Sequence, residues 1–594
     1  MRFPLCILFF LCYFSLSAQI TYTIGIRDFK SNEPLSYCSV IIKASGKGTI
    51  TNEEGFFQLS LNPLSDTIIV SYLGYGKRAI AVSTLSKKDF VSLERSGILL
   101  REAVIYGNDD DFLYNIFYQS KGNLARSGGF ESKVYFSLET VSEKQPVEIL
   151  ECYYNGKIKS NKINELHYKN GRVGLARLNK GYFVSLNISK ALVSFDLLKP
   201  NEDFPATPFQ FDKKNLKKHF DLRLVSIISD ADSIYHIEFN PKNKQKDYFA
   251  GEVWINKKTM FPVKIEMKND LTDKHPLLPL WDTYTIDSVS LDLSYSFLQK
   301  GHKYLLNHTS FKYSLGYDYK EDFHERLDEY REIMKKRHIE TRGIMYVYDY
   351  NEPFILPKAD YDPNFSDYRL ITSFPYNEVF WKMNKGLVQN ERQKEYIAFF
   401  EKNGLLFSFS KITGLKNTIF ENNNLFWSSE SRLSVNEHKL DREGILNPSL
   451  KSSMEHNEVI RSELYKFKTQ LYLDINQDGD AIHHFSASIF DIFESYYLLK
   501  KEPEADCFIN IYFDLVEIER QKMEKILQSG YRSVAELEAV YELTLTGIDQ
   551  VTKRYLKEVQ SGKNFEAFIR WNNYVMEHLG INNFTLSGIT NIKN

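Results

Sequence analysis

Gly25 to Tyr75 reads GIRDFKSNEPLSYCSVIIKASGKGTITNEEGFFQLSLNPLSDTIIVSYLGY. Phe57, Leu59 and Leu61 alternate with Gln58 and Ser60, the period of a strand buried on one face. Thr51 to Gly55 supplies Asn, Glu and Gly for a tight turn, with Gly55 free to take positive φ. Asn62-Pro63 ends the run, and Ile68, Val70 and Tyr72 form the next inward row before Gly74. Short strands with turn signals at this spacing predict a β-sandwich over residues 19–107, built as two stacked antiparallel layers.

Working outward, the first residues read as an export signal. Arg2 provides the positive end, Leu5 to Leu16 is almost unbroken apolar sequence, and Ser15, Ser17 and Ala18 are small. Residues 1–18 are expected to be removed, and the run is too short for a stable membrane span. Cys12 follows the bulky Leu11, which argues against a lipoprotein signal. Cys38, Cys152 and Cys507 would remain, one in each proposed domain. An odd, scattered set is not a disulfide framework, so buried or free thiols are expected. A net charge of −2 gives no electrostatic case for nucleic acid. The 43 Phe and 38 Tyr favour β-rich cores.

Gly25, Asp28, Pro34-Leu35, Gly48-Thr49, Thr51, Gly55, Phe57 and Ser71-Tyr72-Leu73-Gly74-Tyr75 carry a family resemblance, with Leu100 to Ile105 as a following strand. In order and spacing they resemble the carboxypeptidase-like regulatory domain of Bacteroidetes-type envelope proteins, a transthyretin-like or Ig-like β-sandwich. That resemblance implies a module that displays and connects and has no peptidase zinc site. No His is followed three residues later by Glu and there is no HExxH, so the zinc carboxypeptidase pattern is missing from the sequence. The domain often precedes a TonB-dependent transporter, but the helical periodicity of the C-terminal residues does not fit a plug and barrel.

The remainder reads as multidomain α+β. Residues 108–440 begin at the acidic run Asp109-Asp110-Asp111 and are expected to form a central antiparallel sheet. Its clearest part is Ser233 to Met267, where Tyr235, Ile237 and Phe239 alternate with His236 and Glu238, and Val263, Ile265 and Met267 with Lys264 and Glu266. His236 is read as a solvent-face strand residue. This segment resembles, loosely, the curved sheet of periplasmic lipoprotein carriers. The resemblance implies an apolar pocket lined by residues such as Phe249, Val253 and Ile265. Residues 319–338, with Phe323, Leu327, Tyr330 and Ile333 at helical spacing, predict a charged helical insert. Asn390 and Gln393 form a capping box for a helix through Asn403, stopped by Gly404.

Residues 441–594 predict a helical bundle. Ile489, Ile492-Phe493 and Tyr496-Tyr497 are taken as the apolar face of its first helix. Helices around Phe508 to Ile518, Ser533 to Gln560 and Phe565 to Gly580 follow, the second capped by Ser533 with Glu536. Asp474 to Asp480 imitates the start of a calcium loop, but Phe485 stands where the bidentate Glu belongs, and a plain turn is the preferred reading. His484, Asp491, Asp514 and Glu517 are the one candidate metal or acid–base cluster, weighed against a polar helix face.

No catalytic, cofactor-binding or metal-binding residue is assigned. The expected function is a non-enzymatic interaction or adaptor role in the periplasm or at the outer-membrane surface of a Gram-negative bacterium, with an envelope protein or a lipid or lipoprotein as partner. The alternatives are a lipid or lipoprotein binder using the central sheet and a metal-dependent hydrolase using the helical end.

Overall fold

The computed structural model describes residues 20–99, 111–176, 188–229, 233–243, 247–279, 283–326, 329–362, 364–384, 386–403, 406–408, 414–415, 424–430, 432–440, 464–479, 481–499 and 503–589. The export signal at 1–18, the strand expected at Leu100 to Ile105, Asp109-Asp110, Leu327, Gly404 and Asp480 lie outside them.

The N-terminal sandwich contains β1 (Ile20–Asp28), β2 (Ser39–Ile42), β3 (Gly48–Ile50), β4 (Phe56–Leu61), β5 (Thr67–Ser71), β6 (Arg78–Ala81) and β7 (Lys88–Leu93). One layer has the order β4-β1-β7 and the other β3-β2-β5-β6. Ile24, Val40, Phe57, Ile68 and Val70 meet between them and are fully buried. The layers are not wholly antiparallel, because β7 pairs parallel with β1. At the predicted turn Gly55 has φ +77°, and a Cβ there would stand 2.7 Å from the Ile26 carbonyl, so glycine is required. Asn52 Oδ1 accepts from the amides of Glu54 and Phe56 and closes the turn.

The central sheet adds β8 (Gly97–Leu99), β9 (Phe130–Ser142), β10 (Gln145–Lys159), β11 (Lys162–Leu175), β12 (Phe220–Ser229), β13 (Ile234–Pro241), β14 (Ala250–Asn256), β15 (Pro262–Thr272), β16 (Thr285–Lys300), β17 (Lys303–Arg326), β18 (Glu329–Tyr348), β19 (Leu406–Phe407) and β20 (Gly414–Leu415). Among the described residues it is one 13-stranded sheet, ordered β20-β19-β11-β10-β9-β18-β17-β16-β15-β14-β13-β12-β8. Alternation sorts its residues cleanly. Tyr235, Val253, Ile265, Leu293, Phe311 and Met345 face the main core, while His236, Trp254, Lys264, Ser294, Ser310 and Ile344 face the other way. Helices α1 (Phe112–Ala125), α2 (Ile188–Ser194) and α3 (Lys213–His219) cover the core face.

The helical insert expected at 319–338 is not found among the described residues. Residues 319–326 and 329–338 are strand, in β17 and β18, in register from Tyr317 opposite Arg337 to Tyr319 opposite Lys335. Tyr313, Leu315, Tyr317 and Tyr319 alternate onto the core and are buried. That period-two signal continues directly into the segment, and pairing with a strand already templated outweighs a weak helical preference.

The C-terminal part also departs from four helices. β22 (Tyr465–Asp478) and β23 (Ala481–Tyr497) form a long hairpin, joined by the short β21 (Asn424–Phe426). Ile489 packs into the central core, whereas its neighbours Phe490 and Ile492 pack against the helices. A strand buried on both faces loses its alternation and reads as a continuous apolar run, which periodicity cannot tell from a helix. The hairpin is thus the middle layer between the central domain and α7 (Pro503–Gln528), α8 (Val534–Val559), α9 (Phe565–Leu579) and α10 (Asn583–Leu586). The Ser533 cap is present, its hydroxyl accepting from the Glu536 amide. The remaining helices are α4 (Asp367–Ser373), α5 (Glu378–Met383) and α6 (Glu391–Asn403). Asn390 and Gln393 form both bonds of the predicted box at the start of α6.

Candidate functional site

The sandwich lies against the outer face of the central sheet and holds a cleft beneath it. Its roof is the turn at Ser36-Tyr37 and the Tyr72-Leu73 segment after β5; its floor is the outward side of β12 to β17. This compartment encloses about 510 Å³. A second compartment of about 530 Å³ continues across β14 to β18 toward Glu53 and Arg342. Tyr37, Glu266, Ser294 and Ser310 line both.

The floor is wide because of what the strands carry. In β16, Asp292, Ser294 and Ser296 point outward between the buried Leu293 and Tyr295. Ser310 faces Ser294 from β17. Small hydroxyl side chains leave room that larger residues would fill. Lys264 and Glu266 form an ion pair of 2.6 Å on this surface. His308 is buried at its edge, 5.4 Å from the Tyr37 ring. Burial, helped by the charge of Lys264, lowers its pKa to about 3, so it stays neutral. Tyr37 itself sits at φ +59°, an uncommon backbone state for a bulky residue.

The docking contacts are specific. Asn52 Nδ2 donates to the Val388 carbonyl at 3.0 Å. Arg392, in the first turns of α6, donates to Glu139 on β9 at 2.9 Å and to Glu53 of the sandwich at 2.6 Å. Leu73 packs against Ile228, Ile234 and Trp254, and Ile50 enters the cluster of Tyr135, Tyr153, Phe380 and Trp381.

The four residues singled out at the helical end do not converge. His484 bonds Glu524 at 3.0 Å and the Tyr531 hydroxyl at 3.1 Å. Glu517 joins the same seam through Arg520 and accepts from Ser488 at 2.9 Å. Asp514 instead accepts from Arg432, Trp427 and Asn583. Asp491 accepts from the Glu494 amide. These are ties between the hairpin and its neighbours, and His484 and Asp491 stand on a strand. Among the described residues no group of three or more His, Cys, Asp or Glu could hold a metal ion.

Asp474 is no loop ligand either. It lies fully buried in β22, bonded to Lys169 of β11, to Asn377 at 2.5 Å and to Asn476 at 3.3 Å. The turn comes later, at Gly479 with φ +58°. His236 is more covered than expected, stacked on Trp254 at 4.5 Å and bonded to Glu252 at 2.8 Å. Ser226 approaches it at 3.4 Å, but that serine is buried. Phe249, Val253 and Ile265 do not line an open pocket. All three are fully buried in the core, where Phe195 and Phe117 from the covering segments fill the space. Cys38, Cys152 and Cys507 are buried free thiols.

The model of the CarboxypepD_reg-like domain matches residues 25–105. The N-terminal sandwich is a CarboxypepD_reg-like domain. The match spans no other part of the chain, and no curated protein matches it. Solved structures with partial likeness include a LolA superfamily protein from Nitrosomonas europaea, at 10% identity over 40% of this chain and 91% of the other, with a TM-score of 0.17. The MucA/MucB complex of Pseudomonas aeruginosa follows at 9% identity over 39% and 92%, with a TM-score of 0.13. A Bacteroides fragilis protein described as membrane-associated and of unknown function gives 9% over 56% and 99%, with a TM-score of 0.10. Scores this low identify neither a shared fold nor a function.

The residues that line the cleft under the CarboxypepD_reg-like domain are not evident as a motif. One signal was legible: Ser290, Asp292, Ser294 and Ser296 alternate with Leu291, Leu293, Tyr295 and Phe297. A strand face of small polar residues is one that another body can lie upon.

Proposed function

We propose that the protein is a non-enzymatic binding protein of the bacterial cell envelope, and that it holds its ligand between the CarboxypepD_reg-like domain and the outer face of the central sheet. The observation that carries this reading is the pair of joined compartments under the domain, large enough for a small ligand and lined by a few aromatic and hydrogen-bonding groups. Envelope location rests on the export signal read in residues 1–18 and on the company this domain keeps. Among the described residues no helix is long and apolar enough to cross a membrane, which says nothing of strands. A lipid held on the core face would have to displace α1 and the segment around Phe195, because the apolar face is already filled.

The test uses Ser294→Trp, a change that blocks both compartments from a half-buried strand position that tolerates an aromatic residue. Native mass spectrometry of protein purified from its own envelope is expected to show a bound species on the wild type that Ser294→Trp lacks. An identical adduct on both proteins, or none on either, would sink the reading.

A further inference from the structure

We propose that the cleft takes a neutral glycan chain, threaded between the CarboxypepD_reg-like domain and the sheet. This rests on the reading of the cleft as a binding site and names its ligand class.

Three features point to that class. The first is shape. The two compartments meet at Tyr37, Glu266, Ser294 and Ser310 and together run from β12 to β18. At about 4.8 Å between neighbouring strands, that path is roughly 20–30 Å long. Such a path suits several linked units better than one compact molecule.

The second is lining chemistry. Hydroxyl and amide side chains both donate and accept, which matches a ligand whose own hydroxyls do both. Ser294, Ser296, Ser310 and Asn307 supply such groups, and Tyr37 and Tyr72 offer amphipathic ring surface to sugar C–H faces. Charges of both signs line the cleft, with Lys77, Lys264, Lys268, Lys312 and Arg342 set against Glu53, Glu252, Glu266 and Asp292, and Lys264 paired with Glu266, so no patch of a single sign draws in a polyanion.

The third is what the floor lacks. Each of β14 to β17 is hydrogen-bonded to a strand on both sides. A peptide therefore finds no free edge on which to add as a strand, the commonest way an extended peptide is held by a sheet. An acyl chain would take the serine hydroxyls and the Lys264–Glu266 pair out of water and give them no hydrogen bonds in return.

The experiment is isothermal titration of the full chain with neutral oligosaccharides of graded length from malto-, cello-, manno- and chito- series. Unstructured peptides and anionic vesicles are run beside them. Affinity is expected to rise with saccharide length and then level off when the cleft is full. Ser294→Trp is expected to abolish binding. Tyr37→Gly keeps the positive-φ backbone and removes the ring, and is expected to weaken binding roughly 5- to 10-fold. Circular dichroism checks that both variants fold. Binding of peptide or vesicles in place of saccharide overturns the glycan assignment. So does saccharide binding that Ser294→Trp does not change. A blank titration overturns it as well. If native mass spectrometry still shows a cleft-dependent adduct in that case, the binding reading stands and only its ligand class falls.

Discussion

Replacing Lys169 with Met asks how much one buried charge contributes to joining the central sheet to the C-terminal hairpin. Lys169 is fully buried, and its ammonium donates to the Ile355 carbonyl at 2.7 Å, to the Ile475 carbonyl at 3.0 Å and to Asp474. Burial lowers the lysine pKa and raises that of Asp474, so the pair bears a desolvation cost that its hydrogen bonds offset. Met keeps most of the stem volume, so packing loss is small. The carboxylate left behind retains only Asn377 and Asn476, and removing one member of a buried pair typically costs about 3–5 kcal/mol. Hydrogen exchange read peptide by peptide localises the effect. Amides of β22, β23 and α8 are expected to lose about that much opening free energy, while the CarboxypepD_reg-like domain keeps its own. The double variant Lys169→Met/Asp474→Leu is expected to recover part of the loss, because no uncompensated charge stays buried, while the Ile355 and Ile475 carbonyls and the Asn377 and Asn476 amides lose the pair as partners. A single-variant loss below about 1 kcal/mol, or a double variant no better than the single one, would refute the reasoning.

Other outcomes follow from the seam under the sandwich. His308 has a folded pKa of about 3, below its unfolded value, so the unfolded chain binds more protons between the two values and stability falls as pH falls through that window. Between about pH 7.5 and about pH 5.5 this amounts to about 1.4 kcal/mol. Denaturant titrations of His308→Gln at the two pH values should show a pH dependence smaller by that amount, and an unchanged one contradicts the buried neutral imidazole. Arg392→Met removes the link between Glu53 and the buried Glu139, whose pKa burial already raises. It is expected to cost about 1–3 kcal/mol in a denaturant titration, and no measurable loss would contradict a role for this link in docking the domain. Gly55→Ala forces a Cβ against the Ile26 carbonyl at positive φ and should destabilise the sandwich by roughly 1–3 kcal/mol in a thermal melt.

How far the sequence reached depended on whether its signals were local. Caps are local, and both Ser533 and the Asn390–Gln393 box stand where they were expected. The sandwich was legible because its strand alternation and the Asn52 to Gly55 turn are written in consecutive residues. Ile489 to Tyr497 form a strand rather than the expected helix because the hairpin is covered on both sides by parts of the chain far away in sequence. The same cause hid the candidate site. Tyr37 and Ser294 are unremarkable alone, and only docking of the domain makes them two sides of one cleft.

The residues that reveal the domain are spent on building it. Asp28 accepts from the amides of Lys30 and Ser31, from the Tyr75 hydroxyl and from Arg95. Thr51 donates to the Leu35 carbonyl and accepts from the Cys38 amide. These polar groups are satisfied inside the domain, which is why the motif announces a fold and no chemistry. The cleft is lined by Tyr37, by Tyr72 and Tyr75 of the motif, and by serines that β16 and β17 contribute. Stability and recognition should therefore separate by mutation. Asp28→Ala is expected to lower the melting temperature of the sandwich. Tyr37→Gly, at a half-buried, positive-φ position outside the sandwich core, is expected to leave that temperature nearly unchanged while altering which species co-purifies. If Tyr37→Gly melts as early as Asp28→Ala, the roof of the cleft is part of the domain's framework, and the division between them is wrong.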